Sequence, residues 1–241
     1  MLIAATADIH APRYFDLFLK SVDELATNPD LFLIAGDMVD RGKVEMWQKV
    51  YNVLFGKVHC PIVATFGNNE FGVEIQEKFR EMTPDVLFLQ DESTLVRVNG
   101  AKVGIVGSIG SIEWPTFWQR KRDPSIKEKF EKRVEKLREL LVDVKGKADF
   151  TILMTHYVPT FKVLHGEPVE SWPGLGHRRM EKVLIEVKPN LAVCGHAHNG
   201  SKMAWVDTVP VFNVALPLNK KIVLIDTQRD LKPGLSKFFR V

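Results

Sequence analysis

Five short motifs rich in aspartate, asparagine and histidine occur along the chain, and each directly follows a run of apolar residues. In chain order they are Asp8-Ile9-His10, Gly36-Asp37-Met38-Val39-Asp40-Arg41-Gly42, Gly67-Asn68-Asn69-Glu70, His156 and Gly195-His196-Ala197-His198. Carboxylate, amide and imidazole groups are ligands of divalent metals. Because short apolar runs rich in β-branched residues are typical of buried strands, each motif is expected in a loop at a strand end. The sequence therefore predicts a metal site at one rim of a sheet.

The first two motifs differ in how specific they are. Asp8 and His10 are separated by one residue, so in an extended segment both side chains point to the same side and could hold one metal. Taken alone, that spacing is more often a loop aspartate beside a surface histidine. In the second motif, glycines permit a tight turn, and the two carboxylate oxygens of Asp37 can bridge two cations. Asp37 is therefore predicted as a bridging ligand.

The remaining candidates come from the end of the second motif and from the later ones. Arg41 could make a bidentate contact with phosphate oxygens, although a surface salt bridge with Asp40 explains it equally well. Asn68 offers an amide oxygen to a metal, whereas a lone histidine such as His156 is more often a hydrogen-bonded core residue. Ligation is favoured because all of these groups stand together at strand exits.

The elements that must position these residues alternate between strand and helix in the first part of the chain, which favours parallel pairing. Closely spaced strands near 86–107 and 203–226 are expected to be antiparallel. Strands are predicted near 1–7, 31–36, 61–66, 94–98, 102–107, 150–155, 191–195, 210–214 and 221–226. Helices are predicted near 12–27, 43–55, 74–82, 124–144 and 176–187.

Composition favours an ordinary globular protein. The 241 residues carry 33 basic and 30 acidic side chains, a balance too even to indicate nucleic acid as a partner. With no linker-like segment, one domain spanning residues 1–241 is expected. Neither a leader sequence nor a membrane-spanning stretch is recognisable, so we expect a cytoplasmic location and no membrane partner. The oligomeric state stays open.

The order and content of the five motifs resemble those of the calcineurin-like metallophosphoesterases, whose pattern reads roughly D-x-H, G-D-x-x-D-x-G, G-N-H-D/E, a lone H and G-H-x-H. The resemblance spans residues 8–198. It implies an α/β (α+β) fold, a four-layer αββα sandwich of two mixed β-sheets flanked by helices. It also implies hydrolysis of phosphoesters by a hydroxide that bridges two divalent metals, with Mn expected and Fe, Zn, Ni or Co as alternatives.

The resemblance also implies a ligand set. The first metal would be bound by Asp8, His10, Asp37 and His198. The second metal would be bound by Asp37, Asn68, His156 and His196.

This sequence departs from the family pattern at Asn69, where a histidine paired with the acid corresponding to Asp40 is usual. An amide cannot act as a general acid, so a preference for activated esters or a substitute acid is expected. His165, in the loop after His156, and His177, at a predicted helix start that favours phosphate, are the candidate substitutes. A solvated loop histidine and a structural helix-start histidine are the alternatives.

The segment at about 111–147 is predicted to shape the substrate site. Its helix should dock through apolar positions at helical spacing. Before that helix lies an aromatic and basic patch, which could stack on a base and bind phosphates, form a dimer contact or act as a lid hinge. The patch comprises Trp114, Phe117, Trp118, Arg120, Lys121 and Arg122.

Three functions compete. A phosphoesterase acting on phosphodiesters, nucleotides or other small activated phosphoesters is favoured by the size of the chain and the complete ligand set. A nuclease would be expected to carry the third-motif histidine and a DNA-capping domain, so nucleic acid is possible but not favoured. A non-catalytic protein-binding scaffold of the same fold is the third possibility, and the four retained histidines argue against it.

Overall fold

The computed structural model describes residues 1–232. In this part of the chain, apolar and largely β-branched segments form the strands, and amphipathic segments form the helices. The strands are β1 (Leu2–Thr6), β2 (Leu31–Ala35), β3 (Ile62–Thr65), β4 (Val86–Phe88), β5 (Glu92–Val98), β6 (Ala101–Ser108), β7 (Phe150–Thr155), β8 (Leu191–Cys194), β9 (Met203–Val206), β10 (Val209–Asn213) and β11 (Val223–Asp226). The helices are α1 (Phe15–Asp23), α2 (Val44–Phe55), α3 (Val73–Met82), α4 (Phe117–Arg122), α5 (Ile126–Lys145), α6 (Trp172–Leu175), α7 (Arg178–Val187) and α8 (Leu216–Asn219).

The strands form two mixed sheets. The first has the order β11-β1-β2-β3-β4, in which β11 alone is antiparallel to its neighbour. The second has the order β5-β6-β7-β8-β10-β9, with parallel pairing from β6 to β10 and an antiparallel strand at each edge. β1, β2 and β3 therefore end at one edge of their sheet, and β7 and β8 end together in theirs.

Successive side chains of a strand point to opposite faces of its sheet, so the buried side chains form three hydrophobic cores, one between the sheets and one on each outer face. In β2, Leu33 belongs to the core between the two sheets, whereas Phe32 and Ile34 face the helices on the outer side. Helices α1, α2 and α3 cover the first sheet through residues such as Phe18 and Trp47. Helices α5 and α7 cover the second sheet. The four-layer αββα sandwich is confirmed.

The pairing differs from the sequence prediction at β4. Antiparallel pairing is predicted for β4 within residues 86–107, but β4 pairs parallel with β3 in the first sheet, whereas β5 and β6 are antiparallel in the second. Within residues 203–226, β9 and β10 pair antiparallel as predicted, and β10 also pairs parallel with β8. β11 is antiparallel too, but its partner is β1 in the other sheet. Short strands carry too little pattern to reveal their partners, because pairing depends on the packing of the two layers.

The first predicted helix, 12–27, is shorter in the structure, where α1 spans Phe15–Asp23. The residues before it form a turn in which the backbone N–H of Arg13 donates to the carbonyl oxygen of His10, over 2.7 Å. In the described part of the chain, no helix has the length and apolar character needed to cross a membrane.

Candidate metal centre

The predicted ligands lie in the loops that leave five strands. Asp8 and His10 follow β1, Asp37 follows β2, and Asn68 follows β3, all at the same edge of the first sheet. The other three, His156, His196 and His198, follow β7 and β8 of the second sheet. A hydrogen bond links the strand ends of the two sheets, because the His196 N–H donates to Asp8 Oδ2 over 2.8 Å. The site therefore lies where the two sheets meet.

Four of these ligand candidates have a left-handed backbone, which non-glycine residues adopt rarely. The φ angles are 57° for Asp8, 44° for His10, 52° for Asp37 and 69° for His196. Each such residue costs about 1–2 kcal/mol relative to a right-handed conformation. Backbone strain of this kind concentrates at functional sites, where it turns side chains in a direction that a regular strand end cannot provide.

The first group of facing ligand atoms comes from Asp8, His10 and His198. Asp8 Oδ1 lies 3.1 Å from His198 Nε2 and 3.7 Å from His10 Nε2. Neither contact has hydrogen-bond geometry, although Asp8 is fully buried. A buried carboxylate oxygen without a hydrogen bond is costly. A cation bound by the three facing atoms would remove that cost, so this group fits a divalent metal.

The charges in this group are strongly coupled. Burial alone would raise the pKa of Asp8, but the nearby imidazoles of His10, His198 and His156 lower that pKa well below its ordinary value. Burial would likewise lower the pKa of His10, yet the neighbouring carboxylates, Asp8 first, raise that pKa above its ordinary value. Asp8 is therefore ionised, in the form in which it can bind a cation.

The second group contains Asp37, His156 and His196 together with Asp8, and Asn68 adjoins it. His156 Nδ1 lies 3.0 Å from the carbonyl oxygen of Ala35, which can only accept, so this nitrogen carries the proton. In the neutral ring, His156 Nε2 then presents a lone pair 3.0 Å from Asn68 Oδ1 and 3.4 Å from Asp37 Oδ2. Three electron-pair donors that face one another fit a metal cation, and the Ala35 contact orients the ring for it.

His196 completes this group in the required protonation state. Burial is the largest of the causes that lower the pKa of His196 to about 3. Its imidazole is therefore neutral near pH 7, the form that binds metals.

When the two groups are defined by the distances between their ligand atoms, Asp8 belongs to both. Asp37 lies between them nonetheless, because its Oδ2 is 3.6 Å from His10 Nε2 in one group and 3.4 Å from His156 Nε2 in the other. A β-carbon on Gly67 would collide with the Asp37 carboxylate, so glycine is required where this loop passes. The bridging role of Asp37 stays a prediction.

Glu70 is a site residue that the sequence reasoning missed. It is fully buried, and its carboxylate accepts the backbone N–H groups of Asp37, Val39 and Gly67 at 2.8–3.0 Å. Burial and the nearby Asp37 charge raise the pKa of Glu70 above its ordinary value, and the three N–H donors offset part of that rise. The signal was available, since an acidic residue closes the third motif of the family pattern.

Asn69 and its neighbours form a network around Asp37. Asn69 donates from its backbone to Asp37 Oδ1 over 2.8 Å and from its side-chain amide to Asp37 Oδ2 over 2.7 Å. Its amide oxygen accepts the Arg41 backbone N–H, over 3.0 Å. Asp40 lies 3.2 Å from His10 Nδ1 and pairs with Arg13 over 3.0 Å. The salt bridge considered between Asp40 and Arg41 is therefore not the one formed, and the Arg41 side chain is exposed.

The structure does not bring the two substitute acids into contact with the ligands. His177 is buried at the start of α7, where its ring accepts the Arg179 N–H and lies 3.2 Å from Glu131. His165 is exposed and packs edge-on against Trp172 at 5.5 Å between ring centroids. No contact among residues 1–232 joins either histidine to a predicted ligand. Their catalytic roles stay predictions.

Together, the fold and the site define an αββα sandwich with a candidate metal centre at the meeting strand ends. The chain belongs to the calcineurin-like phosphoesterases, since that family model matches residues 1–200. A probable glycerophosphodiester phosphodiesterase, GpdQ, of Arcobacter nitrofigilis is 22% identical over 93% of this chain and 75% of its own length.

Two solved structures share the fold. The phosphopantetheinyl hydrolase PptH of Mycobacterium tuberculosis matches with a TM-score of 0.65 at 16% identity, covering 96% of this chain and 98% of that one. The protein TT1561 of Thermus thermophilus matches with a TM-score of 0.59 at 16% identity, covering 94% of this chain and 98% of that one. At such identities, the likeness describes the fold alone.

Proposed function

We propose that this chain hydrolyses phosphoesters with two divalent metal ions, and that phosphodiesters and esters with good leaving groups are its preferred substrates. The observation that carries the proposal is the position of Asp37 Oδ2, which lies within 3.6 Å of both His10 Nε2 and His156 Nε2. A carboxylate so placed can contact a cation on each side. Mn is the expected metal, and Fe, Zn, Ni or Co suit the same ligands.

Two such cations, when bound, lower the pKa of water and bind phosphoryl oxygens. The residues of this chain supply the geometry. His156 is held by Ala35 with Nε2 toward the centre, and Glu70 holds the loop that carries Asp37. The exposed Arg41 is placed next to that loop, where its guanidinium would bind a phosphate oxygen that extends from the site.

The proposed preference for good leaving groups rests on Asn69. The side-chain amide of Asn69 donates a hydrogen bond to Asp37. It cannot protonate a leaving alkoxide, because an amide is not a usable acid. General-acid assistance is worth about 10²–10⁴ in rate and matters most for poor leaving groups. Phosphodiesters with aryl or similarly stable leaving groups need it least. The phosphodiesterase named among the relatives supports a diester substrate.

The test compares metal-depleted protein with protein titrated with Mn²⁺, using bis(p-nitrophenyl) phosphate as substrate. We expect turnover to appear with Mn²⁺ and to be lost in His156→Ala. His59→Ala is the matched control, because His59 is exposed and precedes β3 at the end remote from the site. Two bound metals without turnover of any phosphoester would contradict the proposal and favour a non-catalytic protein-binding scaffold of the same fold.

A further inference from the structure

A pocket of about 170 Å³ opens beside the candidate metal centre. Two of its lining residues, Asn68 and His196, are predicted ligands of one metal, so whatever occupies the pocket also lies next to that metal. The other lining residues come from the third-motif loop, from the 111–147 segment, from the loop after β7 and from α6. They are Phe71, Ile112, Thr116, Trp118, Gln119, Tyr157 and Gly174.

Aromatic rings make up much of the pocket lining. Phe71 and Trp118 face each other edge to face, with 5.6 Å between their centroids, and both are partly exposed, at 36% and 54%. Tyr157 is buried, and its ring lies 4.8 Å from the ring of His196. Exposed aromatic side chains of this size are typical of binding sites, since burying them against a ligand is favourable.

A guanidinium already rests on the two exposed rings. Arg122 Cζ lies 4.6 Å from the centroid of Phe71 and 5.3 Å from that of Trp118. No ion pair joins Arg122 to a carboxylate within residues 1–232, so its charge is available to an anionic ligand. Both the aromatic faces and the guanidinium plane can stack on a flat ring.

The segment that carries Trp118 has a defined conformation. Thr116 and Gln119 form a reciprocal capping box at the start of α4, which fixes that short helix. The Gln119 amide also donates to the Tyr157 hydroxyl, over 3.2 Å. This contact joins α4 to the residue that follows the predicted ligand His156. Trp118 is therefore held in position relative to the metal centre.

We propose that this pocket binds the nucleobase of a nucleotide substrate while the phosphoester lies at the metals. The proposal rests on the proposed function and specifies its substrate. A cavity of about 150 Å³ accommodates one benzene ring, so this pocket, which is also open to solvent, suits one planar ring system. An aliphatic group such as glycerol cannot stack on the Phe71 ring, the Trp118 ring or the Arg122 guanidinium.

The test compares AMP with ribose 5-phosphate, which carries the same phosphate and sugar but no base. Calorimetry on Mn-loaded protein should show that AMP binds about 5- to 150-fold more tightly, the range that stacking of one base provides. In Trp118→Ala this ratio should fall toward one, while Trp118→Phe should retain most of it. Trp114→Ala is the control, because Trp114 is exposed in the same segment but does not line the pocket.

The outcomes separate this inference from the proposed function. If both ligands bind equally tightly and bis(p-nitrophenyl) phosphate is turned over, the nucleobase pocket is refuted and the hydrolase remains. The same holds if Trp114→Ala and Trp118→Ala reduce the AMP preference alike. If no phosphate compound binds and no ester is hydrolysed in the Mn-loaded protein, the proposed function fails and this inference fails with it.

Discussion

The carboxylate of Glu70 holds the backbone of Asp37 through a hydrogen bond of 3.0 Å, although neither side chain lies on a strand or helix. The same carboxylate accepts two further N–H groups, from Val39 and Gly67. The loops after β2 and β3 are thus joined by one buried side chain. This contact sets the position of the carboxylate that lies between the two ligand groups.

Replacing Glu70 with alanine should destabilise the metal-free protein. Three buried N–H donors would lose their acceptor, and each lost partner costs about 1–3 kcal/mol, so a loss of at least about 3 kcal/mol in the free energy of unfolding is expected. Urea unfolding measures it, with exposed Glu77→Gln on α3 as the control. A Glu70→Ala protein as stable as the control would show that the carboxylate does not hold these loops.

Replacing Asn69 with histidine should raise turnover of alkyl phosphoesters more than turnover of p-nitrophenyl esters. The imidazolium could protonate a poor leaving group, whereas p-nitrophenolate leaves without help. Asp40, whose carboxylate lies 3.2 Å from His10 Nδ1, is the acid that pairs with such a histidine in the family pattern. The ratio of kcat for the two ester types is the measurement. An equal change for both would count against the idea that Asn69 limits the leaving group.

Replacing His177 tests the structural alternative to its catalytic role, under which stability falls and hydrolysis is unchanged. His177 caps α7 by accepting the Arg179 N–H and lies 3.2 Å from Glu131. Loss of a cap costs about 1 kcal/mol, so His177→Ala should lose that much while His177→Asn, also a good cap, should recover most of it. Thermal unfolding and kcat on bis(p-nitrophenyl) phosphate are measured together. A large fall in kcat for both variants at equal stability would restore a catalytic role.

Replacing Asp30 with asparagine should change how the free energy of unfolding depends on pH. Its carboxylate accepts the Leu2 N–H over 2.7 Å, and this hydrogen bond lowers the pKa of Asp30 below its ordinary value of 3.8. A lowered pKa stabilises the folded state above pH 3.8, and that contribution is lost as the pH falls through the folded-state pKa. Asp30→Asn should therefore be less stable by about 0.5–1 kcal/mol at pH 7, with a difference that shrinks below pH 4. A difference independent of pH would exclude the carboxylate charge as its cause.

Much of the site could be predicted from the sequence because parallel strands end at a common edge. Each predicted ligand follows an apolar strand, and that pattern placed Asp8, Asp37 and Asn68 at one rim. The left-handed backbone at Asp8 and Asp37 could not be predicted, since residue type seldom demands it outside glycine. The hydrogen bonds of Glu70 to the Asp37 loop depend on how two loops pack, which motif spacing does not reveal.

Longer-range contacts account for the other differences. His177 is recognisable at a helix start, but its neighbour Glu131 is 46 residues away and comes from another helix. Helix α4 escaped prediction because it has six residues, none of them buried, and so lacks an apolar pattern. The parallel position of β4 depends on three residues beside β3. Local patterns determine elements better than they determine partners.

The most direct test of the account is electron paramagnetic resonance of the protein loaded with Mn²⁺, combined with metal analysis. Because Asp37 lies between the two ligand groups, we expect two Mn per chain and an exchange-coupled spectrum. In Asp37→Asn the coupling should disappear, and the rate of hydrolysis should fall by about 100-fold or more. One Mn per chain, or two uncoupled ions with activity retained in Asp37→Asn, would contradict it.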